Sequence, residues 1–205
     1  MRQPNRIASL GLVALILAGC FAGSSTTASA PASAPAVSLP TASIPGSGGP
    51  SADPVPSDAL GPFSCDLPIV GGTPERAVYV DVRVGTHADY DRVVFEFANG
   101  LPEVSLERAT PPFMHDTSGQ PVEVEGTSFL RLTMPGGTKE TEEHTSAYDG
   151  PIDFHPEFPM LIHLIEGGDF EAHSTWYLGL NGDACARFTL LTVDGPPRLV
   201  IDVEH

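Results

Sequence analysis

The sequence predicts an all-β fold, a single β-sandwich-like domain standing behind a short apolar leader and a long linker. Three observations carry that expectation. Apolar and polar residues alternate with period two over most of the last 145 positions. Gly and Pro pairs and Asn-Gly dipeptides punctuate the alternation at short intervals. No helical periodicity is sustained over four turns.

The elements follow in order. In "AVYVDVRVG", Val78, Val80, Val82 and Val84 share one face, with Tyr79, Asp81 and Arg83 on the other. "RVVFEFANG" sets Val93, Phe95 and Phe97 against Arg92, Val94 and Glu96, and closes on the turn dipeptide Asn99-Gly100. "FLRLTMPGG" points Leu130, Leu132 and Met134 inward. "MLIHLIEGGDF" is expected to turn at Gly167-Gly168, with His163 a satisfied core histidine between Leu161 and Ile165. "STWYLGLNGD" and "ARFTLLTVDGPP" each run into a glycine turn, and "RLVIDVEH" closes the chain on a fraying His205. Internal repeats are absent, and no apolar stretch beyond the leader is long enough to cross a membrane.

The leader reads separately. Arg2 and Arg6 precede an apolar run of 12 residues, Ile7 to Ala18, too short to span a bilayer as a helix. The run ends in "LAGC", Leu17 to Cys20, which resembles the lipobox of bacterial lipoproteins. That resemblance implies cleavage before Cys20, diacylation of its thiol, and durable anchoring by two acyl chains. Residues 1–19 are then a signal peptide and residues 20–60 a lipid-anchored linker. From Phe21 to Asp58, 31 of 38 residues are Ala, Ser, Thr, Pro or Gly, too few apolar groups to offset the entropy of ordering. Such a chain spans about 35 Å, and its composition permits O-glycosylation. Residues 61–205 form the folded domain.

Cys65 and Cys185 are the two remaining cysteines, an even pair in an oxidising compartment, and are expected to form a disulfide. The alternative is two buried thiols. Without the signal peptide, eight Lys and Arg face 26 Asp and Glu, a net charge of −18. That sign repels nucleic acid and anionic headgroups, which excludes both as partners.

Chemistry is sparse. His144, Asp149, His155 and Glu157 lie within 14 residues and are all possible zinc ligands, but their spacing matches no ligand pattern. No nucleophile elbow, His-Glu-x-x-His or phosphate loop is present, and each cysteine already has a use. The expectation is therefore no enzyme, no metal and no cofactor. Trp176 and Tyr177 point to opposite strand faces. With Trp176 beside Leu178 and Leu180 in the core, Tyr177 looks outward, where an aromatic can stack on a sugar. Arg92 and Arg198, on the polar sides of their strands, are candidates to meet an anionic group, or to pair with Glu96 and Asp202.

Two stretches, "VRVGTHADYDRVVFEFANGLP" and "GPPRLVIDVEH", resemble the AMIN-like domain of actinobacterial lipoproteins. "YDGPIDFHPEF" and "GGDFEAHSTWYLGLN" fit the same pattern, so the likeness spans nearly the whole folded region. The closing strand is also similar to the AMIN domain of wall amidases and type IV pilus secretins. The resemblance implies a small, non-catalytic β-sandwich that positions its host in the cell envelope, with peptidoglycan or an envelope protein as partner. It implies an address on the extracytoplasmic face of the cell membrane, reached through the N-terminal lipid, and it transfers no catalytic residues. The other function classes are a small-molecule or lipid carrier and, last, an envelope hydrolase.

Overall fold

The computed structural model describes residues 60–192 and 195–205, where all regular structure is β. The segment expected to be a signal peptide, Cys20 and all but the last residue of the expected linker lie outside the described residues.

Long alternating segments bury one face each, and they do so against one another. Six strands form the first sheet in the order β1 (Ile69–Gly71), β4 (Val104–Ala109), β7 (Ser128–Pro135), β11 (His173–Leu180), β10 (Leu161–Phe170) and β9 (Asp153–Phe154). Five form the second: β12 (Ala186–Leu191), β13 (Arg198–Glu204), β3 (Tyr90–Phe97), β2 (Ala77–Thr86) and β8 (Gly137–Thr138). Pairing is antiparallel except between β2 and β8. A two-stranded flap, β5 (Phe113–Met114) with β6 (Pro121–Val122), completes the set.

The core joins Val93, Phe95 and Phe97 of one sheet to Leu130, Leu132, Met134, Trp176, Leu178 and Leu180 of the other. These are the inward faces that the alternation predicts. Aromatic edges close the centre: Trp176 meets Phe95 at 5.3 Å and Phe95 meets Tyr79 at 5.9 Å, each pair edge-on.

Three expectations need correcting. In β2, Tyr79 is fully buried with Ala77, while Val82 and Val84 pack on the same core further along. A register shift between Tyr79 and Asp81 inserts one residue, and one residue reverses which parity faces inward. Gly167 and Gly168 do not turn; β10 continues through them to Phe170. Their missing side chains make room instead. A Cβ on Gly167 would lie 2.5 Å from the Tyr177 ring, and one on Gly168 2.9 Å from Asp116. The turn is Glu171-Ala172, whose φ values of 50° and 55° give a two-residue hairpin between Phe170 and His173.

Cys65 is bridged to Cys185, beside a reciprocal pair of backbone hydrogen bonds between Ser64 and Ala186. The chain thus enters across the outer face of the five-stranded sheet, where Leu60 packs on Val94 and Val200. His205 is held rather than frayed, its Nε2 lying 3.0 Å from Asp91 Oδ1.

Candidate functional site

Arg92 and Arg198 sit on the outer face of the five-stranded sheet, but Arg92 is not presented to a ligand. It is 1 % exposed, and Nε and Nη2 donate to the two Asp202 oxygens at 2.7 and 3.0 Å. Arg187 donates to the same carboxylate at 2.9 and 3.0 Å. The expected Arg92–Glu96 pairing fails because register decides: Arg92 stands opposite Asp202 across the β3–β13 ladder, and Arg198 opposite Glu96. Arg83 of the neighbouring strand takes Glu96, at 3.2 Å. Arg198 is itself half-buried.

On the six-stranded sheet, Trp176 points inward and Tyr177 outward, as alternation requires. The flap lies over Tyr177, which is 5 % exposed among Phe113, Val122, Phe129 and Ile165. Its hydroxyl donates to Met114 O at 3.2 Å. Burial, reinforced by Asp116, raises its pKa, so it remains a donor. The outward-looking aromatic expected from the strand pattern is therefore covered by a segment 63 residues away in sequence.

Of the histidine-rich stretch, the structure groups only His155, with Asp153 and His163 in place of His144, Asp149 and Glu157. His144 contacts Glu140 in its own loop. His155 stacks on His163 at 4.4 Å, and the Nε2 atoms of both lie 2.9–3.0 Å from Asp153 Oδ1. Such a triad has the donor set of a transition-metal site. The second nitrogen of His163 argues against it. Its Nδ1 accepts the Glu125 N–H at 2.9 Å, so the one proton of the neutral ring sits on Nε2 and is donated to Asp153. A metal would need that same Nε2 lone pair, and a metal-bound histidine donates from its other nitrogen. His163 is thus a satisfied histidine, but under the flap's trailing loop rather than in the sandwich core.

A buried polar network holds the end of β10. The chain's single lysine, Lys139, brings Nζ to 2.5 and 2.7 Å from the Glu166 oxygens. Asp169 accepts from Thr138 Oγ1 at 2.8 Å and from Lys139 N at 2.6 Å. The Tyr79 hydroxyl reaches both carboxylates, at 3.1 and 3.3 Å. Burial drives the Tyr79 pKa far above the phenol range, and the two carboxylates add to it. Burial also pushes nearby Tyr148 up to about 12, with Asp81, Glu166 and Asp149 contributing. These groups are committed to one another and fix the strand end at which Phe170 leaves the sheet.

Phe170 is 57 % exposed. The turn that carries it places Glu171 and Ala172 in the left-handed region, which costs a non-glycine residue about 1 kcal/mol or more. Ala172 O accepts from Gly136 N at 2.8 Å, which ties the tip to the end of β7. Two open hollows lie on this face, and Phe170 lines the larger. The one over the sheet face, about 640 Å³, is floored by Thr133 and Thr175 and bounded by Asp116, Glu107 and Arg131. A second, of about 250 Å³ beside Phe113 and Tyr177, shares Glu107 and Arg131 with it. Glu107 accepts from Arg131 Nε at 2.7 Å, across adjacent strands. The result is an elongated groove on the outer face of β4, β7 and β11. Its aromatic rim is legible in the sequence only as "GDFE", where the strand's reach past two glycines is hidden.

The model of the AMIN-like domain family matches residues 77–205. No curated protein and no solved structure is significantly similar to the chain.

Proposed function

The chain belongs to the AMIN-like domain family, and on that premise we propose that it is a non-catalytic cell-envelope module. In this reading Cys20 carries the lipid, the Ser/Ala/Pro/Thr tract holds the domain off the membrane, and the sandwich attaches to a wall component, peptidoglycan before an envelope protein. The family assignment carries the address, since AMIN-like domains occur in extracytoplasmic envelope proteins. The groove on the six-stranded sheet supports attachment at the surface. The sandwich interior is filled by Trp176, Tyr79, Phe95 and Phe97, which favours a surface binder over a carrier with an internal passenger. The commitment of Glu166, Asp169 and His163 to structural hydrogen bonds favours a binder over a hydrolase.

The test is co-sedimentation of the full chain, in mild detergent, with insoluble wall sacculi across a salt series. Retention that survives 1 M salt, where charges are screened within about 3 Å, is the expected result. Loss of the protein to the supernatant at every salt concentration overturns wall binding. Cys20→Ser separately tests the anchor and should move the protein out of the membrane fraction.

A further inference from the structure

We propose that the groove beside Phe170 is a glycan site that takes an uncharged sugar strand, with the Phe170 ring as its stacking platform. The inference rests on the wall-binding reading and names the part of the wall that is bound.

Four observations carry it. Among the large apolar side chains of the described residues, Phe170 is exposed at 57 %, next to a polar groove. A pyranose has apolar faces and a polar edge, so it needs this juxtaposition of a ring with hydrogen-bonding groups. Secondly, the backbone that carries the ring is tethered on both sides. Asp169 is tied to Thr138 and Lys139, and Ala172 to Gly136, so Phe170 projects from a fixed tip rather than a loose loop. Stacking then costs little ordering entropy.

Thirdly, the polar groups lie in rows. Thr133 and Thr175 face each other across β7 and β11, and Glu107 faces Arg131 across β4 and β7, about 4.8 Å apart by strand spacing. The two depressions flank the Glu107–Arg131 pair in a row along the sheet, an arrangement that suits a linear strand better than a compact ligand. Fourthly, charge selects against anions. Arg131 is engaged by Glu107 and Arg108 of the smaller hollow by Asp183 at 3.4 Å, while Asp116 and Glu171 add negative charge beside His173 in the larger one. Polyphosphate and carboxylate-rich ligands are repelled, and neutral hydroxyl and acetamido groups are not.

The experiment is calorimetric titration of the full chain with an uncharged N-acetylglucosamine hexamer, run beside sacculus co-sedimentation. Phe170→Ala and Phe170→Trp are compared with the parent. Because the ring lies in solvent, both variants should fold, and an unchanged unfolding midpoint checks this. Saturable binding that falls about tenfold in Phe170→Ala and survives in Phe170→Trp is expected. Equal affinity in Phe170→Ala overturns the platform. Retention on sacculi with no binding of the hexamer overturns the glycan class and leaves wall binding standing, through the peptide. Failure of both overturns the two readings together.

Discussion

Replacing Asp202 by alanine removes the acceptor that two arginines share. Its carboxylate is fully buried and takes four hydrogen bonds, two from Arg92 and two from Arg187, at 2.7–3.0 Å. Arg92 is 1 % exposed, so its charge cannot be recovered by water without opening the sheet face. Breaking a buried pair by deleting one partner costs about 3–5 kcal/mol, because the remaining charge stays desolvated. For a domain of this size that corresponds to a fall of about 10–15 °C in Tm. Arg187 is the contrast. It is 10 % exposed in its side chain, and its loss leaves Arg92 with Asp202, so Arg187→Ala should cost only about 1 kcal/mol. Urea unfolding with the disulfide intact measures both, taking the midpoint shift at constant m. Replacing Arg92 and Asp202 together by Met and Leu should recover much of the loss, since apolar residues of similar volume often replace a buried pair at little cost. A loss under about 1 kcal/mol for Asp202→Ala, or no recovery in the double variant, would refute the reasoning.

Three further outcomes are expected. Tyr148 keeps its proton up to about 12, whereas the unfolded phenol loses it near 10. Its contribution is therefore complete below pH 10 and lost as pH rises towards 12; phenolate absorbance and alkaline unfolding of Tyr148→Phe check the sign. Reduction should add two hydrogens to the intact mass and lower stability by roughly 4–5 kcal/mol, as expected for a bridge spanning 120 residues. A mass unchanged by reductant would remove the bridge. Gly179→Ala should destabilise by about 2–3 kcal/mol. Its Cβ would fall 1.8 Å from Glu125 O, so displaced amide signals for 123–127 should accompany the loss.

The alternating strands were legible because a sheet buried on one face imposes period two on each strand separately. Val93, Phe95 and Phe97, or Leu130, Leu132 and Met134, declare their side without reference to a partner. The same locality hides a bulge: the residue inserted near Val80 moves Tyr79 into the core with no local mark in composition. Gly167-Gly168 show the opposite confusion. Glycine serves turns and close approaches alike, and only the Tyr177 ring above Gly167 tells which applies here. Tyr177 and Arg92 were misplaced for a common reason. Strand parity says which face a side chain leaves from, and not whether another segment covers that face.

The sequence by itself determined the all-β class, the inward residues of strands free of a bulge such as β3, β7 and β11, the pairing of Cys65 with Cys185 and membership of the AMIN-like family. Each follows from local periodicity, composition or motif. Tertiary structure alone decided what lies over the sheets: the flap on Tyr177, the carboxylate shared by Arg92 and Arg187, and the groove that opens beside Phe170. Those depend on contacts between segments tens of residues apart, where the register of neighbouring strands sets which side chains meet and which remain in water.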